Sequence, residues 1–207
     1  MHILKTLIFL FSVAAIGQNT PLSEPEMKNF TQGVAIEAKN LESLSSDFVQ
    51  TKYIQLMQES AVSSGKLYYK APNVLKWEYS SPYNYMILFK ENQLFINDNG
   101  DKSVTSLRSN KLFEKLVSLI SGSVNGKLLA DQENFDISFF RNGEKVSAVI
   151  IPRDQSLKQM FSEIILIFGK DHRLNSVQLM EEEGDYTQID FKNIKLNQQL
   201  NKAIFEN

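Results

Sequence analysis

The sequence predicts a mainly β single domain of roughly nine to eleven antiparallel strands, with one helix at its N-terminal end and another in the middle. Three observations lead there. At Leu44 the spacing of apolar residues changes from threes and fours to strict alternation. From that point, clusters of Asn, Asp, Gly and Pro interrupt the chain at short intervals. The alternating segments are also rich in large rings: 14 Phe, 7 Tyr and one Trp make up 11% of the chain. That is enough apolar mass for a core with some left over.

The chain opens on a short basic start, Met1 to Lys5, followed by the apolar run Thr6 to Ile16. Small residues at Ala15 and Gly17 mark a cleavage site, so residues 1–17 read as a signal peptide and residues 18–207 as one domain. The apolar run falls short of the roughly 20 residues that span a bilayer. A helix follows over 24–42. Ser23 offers a cap, Pro25 suits the first turn and Glu26 completes a capping-box pattern. Met27, Phe30, Val34, Ala38 and Leu41 then share one face, although Gly33 costs this helix about 1 kcal/mol relative to Ala.

Strands are expected at 44–53 and 59–70. After Pro72-Asn73, a third runs over 74–79 and stops before Pro82. Residues 85–89 and 94–97 form a hairpin around Lys90 to Gln93, and Asp98 to Asp101 turns the chain again. A central helix over 110–121 carries Leu112, Phe113, Leu116, Val117 and Ile120 as an apolar stripe. A meander completes the domain over 134–141, 145–151, 161–168, 173–181 and 185–194, with Asn142-Gly143 as a hairpin turn. Residues 197–205 read as a loop or a short terminal element. Such an array either closes into a barrel or stays partly open with helices in its mouth.

Composition removes several kinds of chemistry. The chain has no cysteine, hence no disulfide, thiolate metal site or thiol nucleophile. Loss of Lys5 with the signal takes the net charge from −2 to about −3, which argues against a nucleic-acid partner. After residue 17 the one histidine is His172, in the charged stretch Gly169 to Arg173, and it reads as a solvated turn residue rather than a general base. Asn97 to Asp101 lacks the register of a calcium loop and reads as a tight turn. The acidic run Glu181 to Asp185 reads as a solvated hairpin end. No catalytic group, cofactor or metal site is expected.

The informative feature is the bulk of one strand face. Alternation places Phe48, Leu67, Tyr69, Leu75, Trp77, Tyr79, one of Met86 and Ile87, and Phe95 on one side, with Tyr53, Tyr68 and Phe89 on the other. These rings either fill a barrel core or line a cavity capped by helices.

One stretch is more specific. Phe48-Val49-Gln50-Thr51-Lys52 is followed by Ser64-Gly65-Lys66-Leu67-Tyr68-Tyr69-Lys70-Ala71-Pro72-Asn73-Val74-Leu75-Lys76-Trp77-Glu78-Tyr79 and then Pro82. This resembles the LolA family, the periplasmic carriers of outer-membrane lipoproteins. Pro152-Arg153, the strand 164–168 and the segment 187–194 leading to Phe205 are similar to the C-terminal half of that family. The resemblance implies an incomplete, unclosed antiparallel β-barrel with an α-helical lid, LolA/LolB-like. Its inner wall would bind acyl chains through Phe48, Leu67, Tyr69, Leu75, Trp77 and Tyr79. The lid would be the helices 24–42 and 110–121, with Leu116, Val117 and Ile120 facing the barrel. It further implies a monomer that takes lipoproteins from an inner-membrane ABC-type transporter as donor and passes them to an outer-membrane acceptor. Family members often carry a lid-latching arginine before the proline, where this chain has Ala71 preceded by Lys70. That departure leaves two further readings open: a carrier or sensor of another lipid or glycolipid, and a non-lipid periplasmic binding or structural domain.

Overall fold

In the computed structural model, which describes residues 19–106, 122 and 127–206, the alternating segments pair into one antiparallel sheet of twelve strands. The first half contributes β1 (Thr20–Pro21), β2 (Ser43–Ile54), β3 (Glu59–Lys70), β4 (Val74–Ser81), β5 (Tyr85–Lys90), β6 (Gln93–Asp98) and β7 (Asp101–Ser106). The second contributes β8 (Phe135–Asn142), β9 (Lys145–Pro152), β10 (Glu163–Phe168), β11 (Leu174–Met180) and β12 (Tyr186–Leu196). Their order across the sheet is β1-β8-β9-β10-β11-β12-β2-β3-β4-β5-β6-β7, so β1 and β7 are free edges and the barrel is not closed. Two meanders, β2–β7 and β8–β12, are joined by the long-range pairing of β12 with β2, where Phe191 stands opposite Phe48.

Helix α1 (Glu24–Lys39) follows the expected start and ends three residues earlier than its apolar spacing suggested. Ser23 donates from both its backbone N–H (2.9 Å) and its hydroxyl (2.7 Å) to Glu26 Oε2, which fixes the first turn. Asn40 caps the other end, and Leu41 leaves the helix to face the interior. The expected central helix over 110–121, with Leu116, Val117 and Ile120, lies outside the described residues.

Strand bounds agree with the alternation to within two residues, and three elements are additions. β1 is only two residues long, and β7 carries a single large apolar residue, Val104, which is 54% exposed. Neither has an inward pattern to read. Helix α2 (Gln155–Met160) occupies part of the segment read as a separator, and is started by Asp154 Oδ1 accepting the Leu157 N–H at 3.1 Å. Turn chemistry sets the hairpin registers. Glu91 and Asn92 both take positive φ, as do Asn99 and Gly100, so each pair makes a two-residue loop matched to the strand twist. The β8–β9 loop falls one residue later than expected, on Gly143 and Glu144, and Asn142 pairs with Lys145.

The acidic run after β11 is a correction. Glu181 accepts from Lys52 Nζ at 2.8 Å, and Asp185 Oδ1 accepts the Gln55 N–H at 2.9 Å. Together they tie this turn to the β2–β3 hairpin, and Tyr53 stacks on Tyr186 beside them at 5.2 Å.

Apolar side chains form two clusters, one on each face of the sheet. The larger lies on the inner face beneath α1 and beneath the 3-10 turn Lys127–Ala130, which contributes Leu128 and Leu129. The smaller lies on the outer face, where Phe205, Leu200 and Ile204 of the C-terminal segment cover Met86, Leu88, Tyr68, Val74 and Phe95. Residues 197–205 are therefore a packed strap with a 3-10 turn at Lys202–Phe205. Asn197 fastens it: Oδ1 accepts the Glu42 N–H and Nδ2 donates to the Asn40 carbonyl, each at 2.8 Å.

Gly65 shows how tightly the inner face is built. It sits at a bulge between β3 and β4, and a Cβ there would lie 1.9 Å from the Glu78 carbonyl oxygen. The Phe48 and Tyr79 rings, from the strands on either side of it, meet edge to face at 5.1 Å. Gly65→Ala is expected to lower stability by about 1–3 kcal/mol, read as a lower urea midpoint with an unchanged slope.

Candidate functional site

The inner wall is a set of side-chain rows running across strands, because residues opposite each other in an antiparallel ladder share a face. One row is Leu44, Tyr69, Leu75, Phe89 and Leu94. The next is Ser46, Leu67, Trp77, Ile87 and Ile96. A third runs Phe191, Phe48, Gly65, Tyr79 and Tyr85. Phe48, Leu67, Tyr69, Leu75 and Trp77 are all buried on this wall, and Tyr79 is half-buried at its rim. Two parity assignments reverse. Phe89 joins the inner wall, and Phe95 points outward with Met86, while Ile87 points in. The two-residue loop at Glu91-Asn92 fixes that register.

Polar atoms on the wall are few and placed. Ser46 Oγ donates at 2.8 Å to the backbone carbonyls of Asp47 and Lys192. The Tyr69 hydroxyl donates to the Pro72 carbonyl, and that of Tyr79 to Gln50 Oε1, each at 2.9 Å. Burial, helped by the neighbouring Tyr83, pushes the Tyr79 phenol up to about 12.

α1 covers this wall with few contacts of its own. Of its 16 residues only Phe30 and Val34 are fully buried. Phe30 meets Phe168 at 5.3 Å and Phe139 at 5.8 Å, edge to face in both cases. The β10–β11 turn reaches over to meet the helix. His172, in a left-handed conformation at φ 59°, lays its ring 5.8 Å from that of Phe30. A Cβ on Gly33 would lie 2.5 Å from the His172 Nε2 atom. His172 is thus a half-buried packing residue, not the solvated turn residue its neighbours suggested, and Gly33 is the hole that receives it. Exposed ion pairs flank these contacts, Arg173 to Glu37 and Arg141 to Glu26, each at 3.5 Å and each worth little.

Between α1 and the sheet lies a cavity of about 50 Å³. Val34, Ala38 and Leu41 form its roof, Leu44, Leu67 and Phe191 its floor, and Glu37, His172 and Arg173 one side. That is space for one or two water-sized groups, far below the several hundred Å³ of a site that encloses a lipid-sized ligand. In this arrangement α1 lies closed over the wall.

Among the described residues, neither Lys70 nor Ala71, where a latch was sought, makes a hydrogen bond or ion pair to α1. Lys70 is exposed at the end of β3, and among the described residues its side chain makes no hydrogen bond or ion pair. Ala71 is half-buried and donates its N–H to the Glu42 carbonyl at 2.9 Å. The sequence reading missed Gly33, His172 and Gln50. A glycine one position before an inward-facing valine was the available signal for the first two, since such a glycine marks a close approach. Gln50 was hidden in an alternating strand, where its parity put it inside.

The Tyr79 phenol gives a testable pH dependence. Its folded value lies above the ordinary 10, so folding favours the protonated form. The stability it supports is fully present below pH 10 and is lost as pH rises toward 12, on the order of 2 kcal/mol in all. Urea midpoints measured across that window should fall in the native chain and fall less in Tyr79→Phe, while the latest component of phenolate absorbance should vanish in that variant.

With this geometry in hand, comparison with known proteins is direct. The family model described as outer membrane lipoprotein carrier protein LolA matches residues 39–207. An outer-membrane lipoprotein carrier protein of Pseudomonas paraeruginosa is 22% identical over 205 residues, covering 99% of this chain and 94% of that one. One from Chromobacterium violaceum is 28% identical over 207 residues, covering 98% and 93%. Among solved structures, the Pseudomonas aeruginosa MucA/MucB complex aligns at a TM-score of 0.51 and 10% identity, over 87% of this chain and 60% of that one, which supports the fold alone. The family match takes in every described strand from β2 to β12, and the chain belongs to the LolA family of outer membrane lipoprotein carrier proteins.

Proposed function

We propose that this chain is a periplasmic carrier that holds the acyl chains of lipoproteins against the inner wall and shuttles them from the inner to the outer membrane. Residues 1–17 export it and are removed, leaving 18–207 as one carrier domain. An inner-membrane ABC-type transporter is the donor and an outer-membrane component the acceptor. Phe48, Leu67, Tyr69, Leu75, Trp77 and Tyr79 form the acyl-binding surface, and α1 is the lid. No covalent step is involved. The work is burial and release.

The observation that carries this reading is the mismatch between the wall and its cover. Two fully buried residues, Phe30 and Val34, secure a 16-residue helix. Exposing both costs about 3–6 kcal/mol. Each acyl methylene brought out of water returns about 0.8 kcal/mol, so roughly four to eight methylenes offset the opening. Cargo with longer chains holds the lid open, and cargo withdrawn lets it fall back onto the wall. A carrier needs that balance, because full burial of several chains in a rigid site would not reverse. The names of the relatives support lipoproteins as cargo. Ala71, where family members often carry an arginine, favours a second reading in which the cargo is another lipid.

Native mass spectrometry of the protein taken from its own periplasm tests both readings. Bound lipoprotein supports the first, a bound lipid without protein the second, and a chain that is always empty and takes up no apolar dye argues against both. Leu41→Glu and Leu174→Glu place a charge at half-buried positions lining the cavity. Each is expected to cut uptake of a synthetic acylated lipopeptide at least about tenfold, since a buried unpaired charge is costly, with the far-ultraviolet circular dichroism unchanged. Undiminished uptake would count against the cavity as the binding site.

A further inference from the structure

We propose that the indole N–H of Trp77, beside the Tyr79 hydroxyl and the Gln50 amide, is the subsite for the ester carbonyl at the head of an acyl chain; this rests on the carrier reading above. Trp77 is 8% exposed, and among the described residues its Nε1 has no hydrogen-bond partner. Indole nitrogen is a donor and never an acceptor, so it is satisfied only by an incoming lone pair. Buried donors without partners are rare in native proteins, and each asks for an unseen occupant or a function.

The surroundings narrow that occupant. The Phe48 ring stands 4.8 Å from the indole and Phe191 6.2 Å, while Leu67 and Ile87 flank it on the neighbouring strands. A ligand reaching this place must be apolar over most of its surface. The Tyr79 hydroxyl already gives its proton to Gln50 Oε1 at 2.9 Å. Its oxygen stands close to the indole but outside hydrogen-bond geometry. The indole proton is therefore the donor left over beside this polar pair on an otherwise apolar wall. The cavity under α1 lies next to that donor, because Leu67 and Phe191 line the cavity and also neighbour the indole. Charged head groups are poorly matched, since the cavity's cation, Arg173, is already paired with Glu37. An uncharged acceptor at the end of a hydrocarbon chain fits, and the acyl ester carbonyl is that group.

The test uses the full exported chain, a synthetic diacyl lipopeptide, and its dialkyl ether analogue of equal chain length, which lacks the carbonyls. Because Trp77 is the sole tryptophan, the protein gives one indole ¹H–¹⁵N cross-peak. The ester is expected to bind about tenfold more tightly than the ether and to move that cross-peak downfield, while the ether leaves it in place. Trp77→Phe should erase the preference, so that ester and ether bind with the same affinity as each other. Equal affinities with an unmoved cross-peak would assign the N–H to the neighbouring Tyr79 oxygen or to an ordered water and overturn the proposal. If Trp77→Phe does not fold, the ester–ether comparison on the native chain decides alone. If neither analogue binds, the carrier reading fails and takes the subsite with it, an outcome distinct from equal binding.

Discussion

The inner face of the sheet holds Phe48, Leu67, Tyr69, Leu75, Trp77 and Phe89 side by side, and an open sheet has no second layer to cover them. Apolar surface of that size cannot be left in water without cost. A sandwich would answer with another sheet and a small closed barrel by filling its own interior. Here β1 and β7 remain as the two edges of the sheet, not joined to each other, and among the described residues the cover is a helix, together with a short 3-10 turn. The rest of the molecule accommodates that choice. The β10–β11 turn is bent back to give the helix a ring to rest on, and the C-terminal strap covers Tyr68, Val74, Met86, Leu88 and Phe95 on the outer face of β3 to β6.

This arrangement separates two kinds of stability. The strands hold one another through ladders that link every neighbour from β8 to β7, and the backbones of β3 and β4 lie so close that Gly65 has no room for a methyl group. The helix is held by two buried residues, a histidine ring and ion pairs in water. Local opening in proteins is drawn from regions with few buried contacts. Helix α1 is such a region, and the sheet beneath it is not.

Much of the fold was legible because alternation is a direct imprint of a sheet with one buried face. β2, β3 and β4 could be placed almost to the residue, and with them the wall from Phe48 to Tyr79. What stayed hidden follows from the same physics. β7 has no inward bulk, so nothing marks it as a strand. Phe89 and Phe95 were assigned to opposite faces from those they take. β5 and β6 are apolar on both sides, the outer one serving the C-terminal strap, and alternation cannot tell two buried faces apart. His172 was misread because a charged turn normally faces water; its partner, Phe30, is 142 positions away in sequence, and no local pattern reports such a contact.

Gly33 has a mechanical side as well. The helix it interrupts is tied at both ends: β1 pairs with β8 just before it, and Asn197 clasps the Asn40 carbonyl just after it. A bar pinned at both ends does not swing like a door. Movement away from the wall has to be taken up by loosening a pin or by flexing the bar. The place of least bending resistance is the residue without a side chain, halfway along, where the helix also gains least from staying helical. The hole that seats His172 is therefore also the joint at which the helix can buckle, and the fit and the compliance of α1 are written into the same missing methyl group.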